Sequence, residues 1–344
     1  MPDDLPVYGV LGASGYLGSA FVRFLLDRGE RVVCLSTIQS LPQLRRRLHG
    51  VRSEPDYVAG TTLSFTLVQS LIAASNIVCN LIGASVLRAT RHQAPYLLAV
   101  NGVFPGVLAR WCRASGQPMR PMFVSSMRVG LIESDAQVAA WVQHFIQILN
   151  LDECAEHVRV DTMDRLTAAV ERTLLVCPRL PDVDCYELSK LVGEVLVLSD
   201  ATSRVFRIAS VYGPSPGGRG LVHRILRSRL SGRHARERSE VRDFLYEADL
   251  CEALTQPPVQ CVGPITIASG HRASTQQLAA MIERVTPYGI GRLTIAGEDP
   301  GHPVSIGPPP VRPLPGRFVG LEDGLKRTVD GYLNDPIGHG LESG

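Results

Sequence analysis

The chain has 344 residues, 45% of them hydrophobic and 20% charged, enough apolar material for a large folded core and too much for a disordered chain. Lys and Arg total 35 against 33 Asp and Glu, so the formal charge of +2 supplies no general field toward nucleic acid or an anionic membrane. The eight cysteines, at 34, 79, 112, 154, 177, 185, 251 and 261, form no C-x-x-C pair and fall mostly in apolar stretches, which reads as buried thiols in a reducing cytoplasm, with no metal site suggested.

In chain order, Met1 to Pro6 carries Asp3 and Asp4, where a signal peptide would need a basic start and an apolar stretch. Val7 to Leu11 is an apolar run ending in glycine, followed by a helical pattern over Leu17 to Asp27 and a second apolar run over Arg31 to Leu35: a βαβ unit. Gly60 to Leu87 has no charge and the length of a membrane span, but Gln69, Ser70, Ser75, Asn76 and Asn80 interrupt it, and it divides better into a helix (Ser64 to Ala74) and a buried strand (Asn76 to Leu81). Further strands are expected at Ile77 to Ile82, Met122 to Ser125, Val205 to Ile208 and Ile265 to Ala268, with helices over Tyr96 to Ser115 and Tyr186 to Ser199. Strands alternating with helices predict an α/β fold with a doubly wound parallel sheet.

Residues 131–184 break that rhythm. Val138, Trp141, Val142, Phe145, Ile146 and Leu149 follow helical spacing after a Ser134 or Asp135 cap, and Met163, Leu166, Val170 and Leu174 predict a second helix, so this segment reads as a helical insertion in a domain spanning 1–213. From residue 214 the composition shifts, with Pro214-Ser-Pro-Gly-Gly-Arg-Gly at the start and Pro308 to Pro310, Pro313 and Pro315 near the end; 214–344 is expected to form mainly a smaller substrate lobe.

Gly12-Ala-Ser14-Gly15-Tyr16-Leu17-Gly18 sits where the first strand turns into the first helix, a place where glycines allow close approach of a pyrophosphate and helix amides attract it. The second strand ends in Ser36 and Thr37 rather than in the acid that holds an adenosine ribose, and Arg45, Arg46 and Arg47 follow, so NADP is favoured over NAD. Tyr186 and Lys190 lie four apart on one predicted helix face, where an ammonium lowers a phenol that otherwise titrates near pH ≈ 10. Ser125 and Ser126 end a strand.

These pieces, with Cys79-Asn-Leu-Ile-Gly83, Arg207-Ile-Ala-Ser-Val-Tyr-Gly-Pro214 and Arg242-Asp-Phe-Leu-Tyr246, occur in the order that resembles the extended short-chain dehydrogenase/reductase family, in its NAD(P)-dependent epimerase/dehydratase branch acting on nucleotide sugars. The resemblance runs from Val7 to about Leu333. It implies a Rossmann-type fold, proton transfer by Tyr186, substrate orientation by Ser125 or Ser126, and Lys190 on the nicotinamide ribose. Leu81, Ile82 and Gly83 would line the cofactor cleft, and Ser210, Arg219 and Arg242 would meet a nucleotide-sugar substrate, Arg242 at its diphosphate.

Met127 stands where many relatives have a third Ser or Thr, and Thr61 where an adenine-contacting acid is common. A dehydratase would carry an Asp-Glu pair after the catalytic serine, and Met127-Arg128 occupies that place. What remains is hydride transfer at one carbon: reduction of a 4-keto group on a nucleotide-linked deoxysugar, or 4-epimerisation. A non-sugar carbonyl substrate and a non-catalytic dinucleotide-binding protein stay open, as does a homodimer; no nucleic acid and no membrane is expected as a partner.

Overall fold

The computed structural model describes residues 6–60, 64–84, 91–116, 120–160, 163–232, 234–256, 263–286, 293–296 and 318–335. Their contacts divide the chain into two compact units. Met1–Gly18, Val22–Arg207 and Cys261–Ile265 form the first; Ser19–Phe21, Ile208–Gln260 and Thr266–Gly344 form the second.

In the first unit the order is β1 (Val7–Leu11), α1 (Tyr16–Asp27), β2 (Arg31–Thr37), α2 (Leu41–Arg47), β3 (Asp56–Gly60), α3 (Phe65–Ala74) and β4 (Ile77–Asn80). A long helix follows as α4 (Ala94–Leu97), a π-helical stretch (Leu98–Val103) and α5 (Phe104–Ala114), then β5 (Arg120–Ser126), α6 (Ala136–Ile148), α7 (Leu151–Val160), α8 (Met163–Val176), α9 (Cys185–Leu198) and β6 (Arg204–Ile208). Pro105 lacks the N–H that would bond the Asn101 carbonyl, a physical reason for the helix to widen there. The expected βαβ unit, the 64–74 helix and the strand after it are present.

The strand order of the main sheet is β10-β6-β5-β4-β1-β2-β3, β10 being Ile265–Ile267, and neighbouring strands from β3 through β5 pair in parallel. The order reverses between β1 and β4, the switch point at which a doubly wound sheet opens a crevice beyond its strand ends. Register aligns Leu11 with Leu35 and with Asn80, and Asn80 with Phe123. The glycine turn, Ser36, Leu81 and the strand-end serines therefore leave the sheet along the same edge.

Among the described residues, 131–184 hold three helices where two were expected. Asp135, not Ser134, caps α6, accepting from the N–H groups of Gln137 at 2.8 Å and Val138 at 3.3 Å. Trp141, Phe145, Cys154, Leu166 and Val170 share one buried cluster with Val103, Phe104, Trp111, Leu188 and Val192, so these helices are packed into the core of the first unit.

The second unit holds β7 (Ser210–Tyr212), α10 (Leu221–Ser231), β8 (Ala235–Arg238), β9 (Val241–Tyr246), α11 (Glu247–Thr255), β11 (Arg272–Ser274), α12 (Thr275–Val285), β12 (Leu293–Ala296) and α13 (Leu321–Asn334). Strands β11-β9-β7 make a small sheet. Its core joins Tyr212, Ile225, Phe244, Leu278, Leu325 and Tyr332. The prolines at 308–310, 313 and 315, together with Thr61 and Cys261, lie outside the described residues. Among the described residues no helix is long and apolar enough to cross a membrane.

Candidate active site

Gly12 turns with φ of 79° at the end of β1. A Cβ there would come within 2.8 Å of the Leu81 carbonyl carbon and Ile82 nitrogen, and one on Gly18 within 2.0 Å of the Gly12 carbonyl oxygen. Only glycine lets the turn lie against the chain leaving β4 and lets α1 lie against the turn. Gly15 is the N-cap of α1, with no side-chain cap and no acid in the first turn, so the amides opening at Tyr16 and Leu17 meet no competing carboxylate. That polarity suits a pyrophosphate.

The three arginines after β2 separate in space. Arg47 Nη1 donates to the Ser14 carbonyl at 2.5 Å, Arg45 lies 5.3 Å over the Tyr57 ring, and Arg46 is exposed. Arg23 ties the end of α2 to α1 by donating to the carbonyls of Arg47 and, at 3.1 Å, His49. Ser36 is buried, its hydroxyl donating to the Thr37 carbonyl at 3.2 Å, while Thr37 accepts from the Ser40 N–H at 3.3 Å.

Beyond β4, the Leu81 N–H donates to the Leu11 carbonyl at 3.0 Å and the Ile82 N–H to Asn80 Oδ1 at 3.1 Å. The fully buried Asn101 then closes the loop, accepting from the Ala84 N–H at 3.0 Å and donating to the Ala84 carbonyl at 2.9 Å and to Ser189 Oγ at 3.1 Å. Asn101 thereby fixes the Gly83 loop to α9. Sequence reasoning missed it; the available signal was a lone amide in the apolar pattern of 96–115.

The two serines part company. Ser125 Oγ donates to Glu194 Oε1 at 2.6 Å inside the protein, whereas Ser126 Oγ accepts from the Arg128 N–H at 3.2 Å and bears on the Tyr186 phenol. Burial pushes the Tyr186 phenol up, opposed by the Ser126 hydroxyl and by the Arg128 guanidinium. Asp184 caps α9 by accepting from the Tyr186 N–H at 2.8 Å, which fixes the first turn. One turn on, Lys190 Nζ donates to the Val124 carbonyl at 3.0 Å, sits 4.8 Å from the Phe123 ring centre, and would lie 3.6 Å from a Cβ on Gly83. Burial pulls Lys190 down to about 8, with the Glu194 carboxylate opposing.

Glu194 anchors a buried charge network also absent from the sequence reading. Arg207 Nη2 reaches Glu194 Oε2 at 2.6 Å and Arg207 Nη1 reaches Glu133 Oε2 at 2.6 Å, so β6, α9 and the turn after β5 are cross-tied beneath the serines. Burial pushes the Glu194 carboxyl up, against Arg207 and Ser125. The signal was periodic: Glu194 follows Tyr186 and Lys190 at intervals of four along one helix face.

Ser210, Arg219 and Arg242 lie in the second unit. Ser210 pairs with Phe244 in the small sheet, Arg219 is exposed with its carbonyl accepting from Arg224 Nη1 at 3.0 Å, and the Arg242 guanidinium is ion-paired with Glu240.

A family model described as the NAD dependent epimerase/dehydratase family matches residues 9–130. A search of curated proteins returns no match. Among solved structures, MoeE5 in complex with UDP-glucuronic acid and NAD is similar over 95% of this chain and 99% of its own, with 19% identity and a TM-score of 0.66. A mutant UDP-glucuronic acid 4-epimerase from Bacillus cereus, with a fluorinated UDP-sugar and NAD, gives 17% identity, 95% and 99% coverage and a TM-score of 0.68. UDP-glucose 4-epimerase from Bifidobacterium longum, with NAD+ and UDP, gives 13% identity, 96% and 99% coverage and a TM-score of 0.68. Residues 9–130 thus match the model of the NAD dependent epimerase/dehydratase family, and over nearly its whole length the chain shares the fold of these structures.

Proposed function

We propose that the protein is an NAD(P)-dependent oxidoreductase that reduces the 4-keto group of a nucleotide-linked deoxysugar, with Tyr186 as proton donor. The observation that carries this reading is the Ser126 hydroxyl bearing on the Tyr186 phenol, with Lys190 one helical turn on beside Gly83. Gly12, Gly15 and Gly18 fit a dinucleotide, because their missing side chains and the uncapped start of α1 leave backbone amides for phosphate. When bound, the nicotinamide supplies the hydride. Ser126 would orient the substrate carbonyl by hydrogen bonding, Tyr186 would deliver a proton to the oxygen as it becomes an alkoxide, and the Lys190 ammonium would stabilise that developing charge.

Ser36 in place of an acid, and Arg47 beside Ser14, favour a cofactor with a 2'-phosphate, so NADP(H) is our choice over NAD(H). Arg242 is assigned to the substrate diphosphate, with Glu240 orienting its guanidinium. Met127 and Arg128 supply no acid-base pair for dehydration.

A thermal-shift screen of nucleotide sugars with NADPH or NADH present tests the reading, because a ligand of the native state stabilises it by mass action. The proposal requires a nucleotide sugar that raises the melting temperature and whose keto form consumes NADPH. The second reading, 4-epimerisation, draws on the likeness to 4-epimerases crystallised with NAD. It predicts interconversion of two sugars without net consumption of cofactor.

A further inference from the structure

Arg128 occupies the second position after Ser126 at the edge where the reacting groups gather, and the proton-transfer scheme above gives it no task. Its backbone is fixed by that serine, the Arg128 N–H donating to Ser126 Oγ at 3.2 Å. Its guanidinium reaches across to α9, where Nη2 lies 2.5 Å from Glu187 Oε1. The Glu187 side chain is only 5% exposed and that of Arg128 41%, so a buried carboxylate holds an arginine at the rim. Glu187 directly follows Tyr186 in the chain, and the Ser126 hydroxyl bears on the Tyr186 phenol. Arg128 is thus held at its backbone by Ser126 and at its guanidinium by the residue next to Tyr186 on α9.

We propose that Arg128 is a positioning residue for Tyr186: clamped by Glu187, its guanidinium supplies positive charge beside the phenol at the place where a dehydratase would carry acids. This rests on the reading of Tyr186 as proton donor. The groups bearing on the phenol are Ser126 at the end of β5, Arg128 from the turn after it, and Asp184 and Glu187 at the start of α9. Lys190, on the same helix, is drawn to the Val124 carbonyl. The cation favours the phenolate and the two carboxylates disfavour it, so the pair Arg128–Glu187 sets the balance. A phenol kept nearer neutrality gives up its proton more readily to a nascent alkoxide.

The test titrates the Tyr186 phenol itself, by tyrosinate absorbance of the full-length protein with the Tyr186→Phe signal subtracted. Arg128→Met should raise its pKa by about one unit and Arg128→Lys should restore it, while Glu187→Gln should move it downward. Unchanged titration in Arg128→Met, or failure of lysine to restore a shifted value, overturns the proposal. Because no substrate is used, the outcome is separable from the functional reading. The phenol shift without any loss of turnover in Arg128→Met would contradict Tyr186 as proton donor and leave the electrostatic role of Arg128 standing.

Discussion

Ser125 Oγ lies 2.6 Å from Glu194 Oε1, and so the first of the two strand-end serines is committed to the protein interior. Ser126 meets Tyr186 instead. Ser125→Ala should therefore reduce stability, by about 1.5–3 kcal/mol for a hydrogen bond to a charged group, with a small effect on turnover. Ser126→Ala should do the reverse, lowering turnover at least about tenfold at nearly unchanged stability. Urea denaturation and steady-state assays of the two variants decide between them.

Gly18 and Gly29 offer a matched pair. An added methyl at Gly18 would sit 2.0 Å from the Gly12 carbonyl oxygen, whereas at Gly29 it would meet nothing within 4 Å, although φ there is +78°. Gly18→Ala should abolish dinucleotide binding by forcing α1 away from the turn. Gly29→Ala should cost about 1 kcal/mol of stability through backbone strain and leave binding intact. Cofactor titration by fluorescence reads both.

The arrangement of Ser36 and Arg47 predicts tighter binding of NADPH than NADH. Arg47→Ala should weaken NADPH by roughly ten- to hundredfold, the range of a charge-assisted hydrogen bond, and leave NADH nearly unchanged. Ser36→Asp should shift preference toward NADH by repelling the 2'-phosphate. Equal loss for both cofactors in Arg47→Ala would assign that residue to the glycine turn alone.

Lys190 carries a stability signature independent of turnover. Its ammonium titrates at about 8 in the fold, against about 10.4 in an unfolded chain, so between those values the unfolded state binds more protons. Stability contributed by this group accordingly rises with pH across that window, and below it the buried charge costs on the order of 3 kcal/mol. Lys190→Met should flatten the pH dependence of unfolding free energy between about pH 8 and 10 while abolishing turnover. Denaturant melts across that range provide the check.

Much of the first unit was legible because its signals are local. The apolar run, Gly12, Gly15 and Gly18, and the following helix specify a βαβ turn within about thirty residues. The cap before α6 was legible to within one residue. The helix α7 was not, because Asp152, Glu153, Glu156 and Arg159 dilute its apolar period. Strands β7 and β11 have three residues each, too few for an alternation to show. Composition cannot distinguish Ser125 from Ser126. Adjacent strand residues point to opposite faces, and only tertiary packing brings Glu194 to one and Tyr186 to the other. The Arg128–Glu187 and Arg207–Glu194 pairs likewise join segments that sequence spacing does not connect.

Tyr186→Phe puts the central claim to the most direct test. Removing the hydroxyl alone should leave fold and dinucleotide affinity unchanged, since Asp184 holds the helix through the Tyr186 backbone and the glycine turn is untouched. The measurement is single-turnover hydride transfer from NADPH to the keto-sugar that the ligand screen identifies, under conditions where transfer limits the rate. A fall of at least about 10²-fold is predicted, the lower range for loss of a general acid. A variant that kept more than about a third of the wild-type rate would contradict Tyr186 as the proton donor.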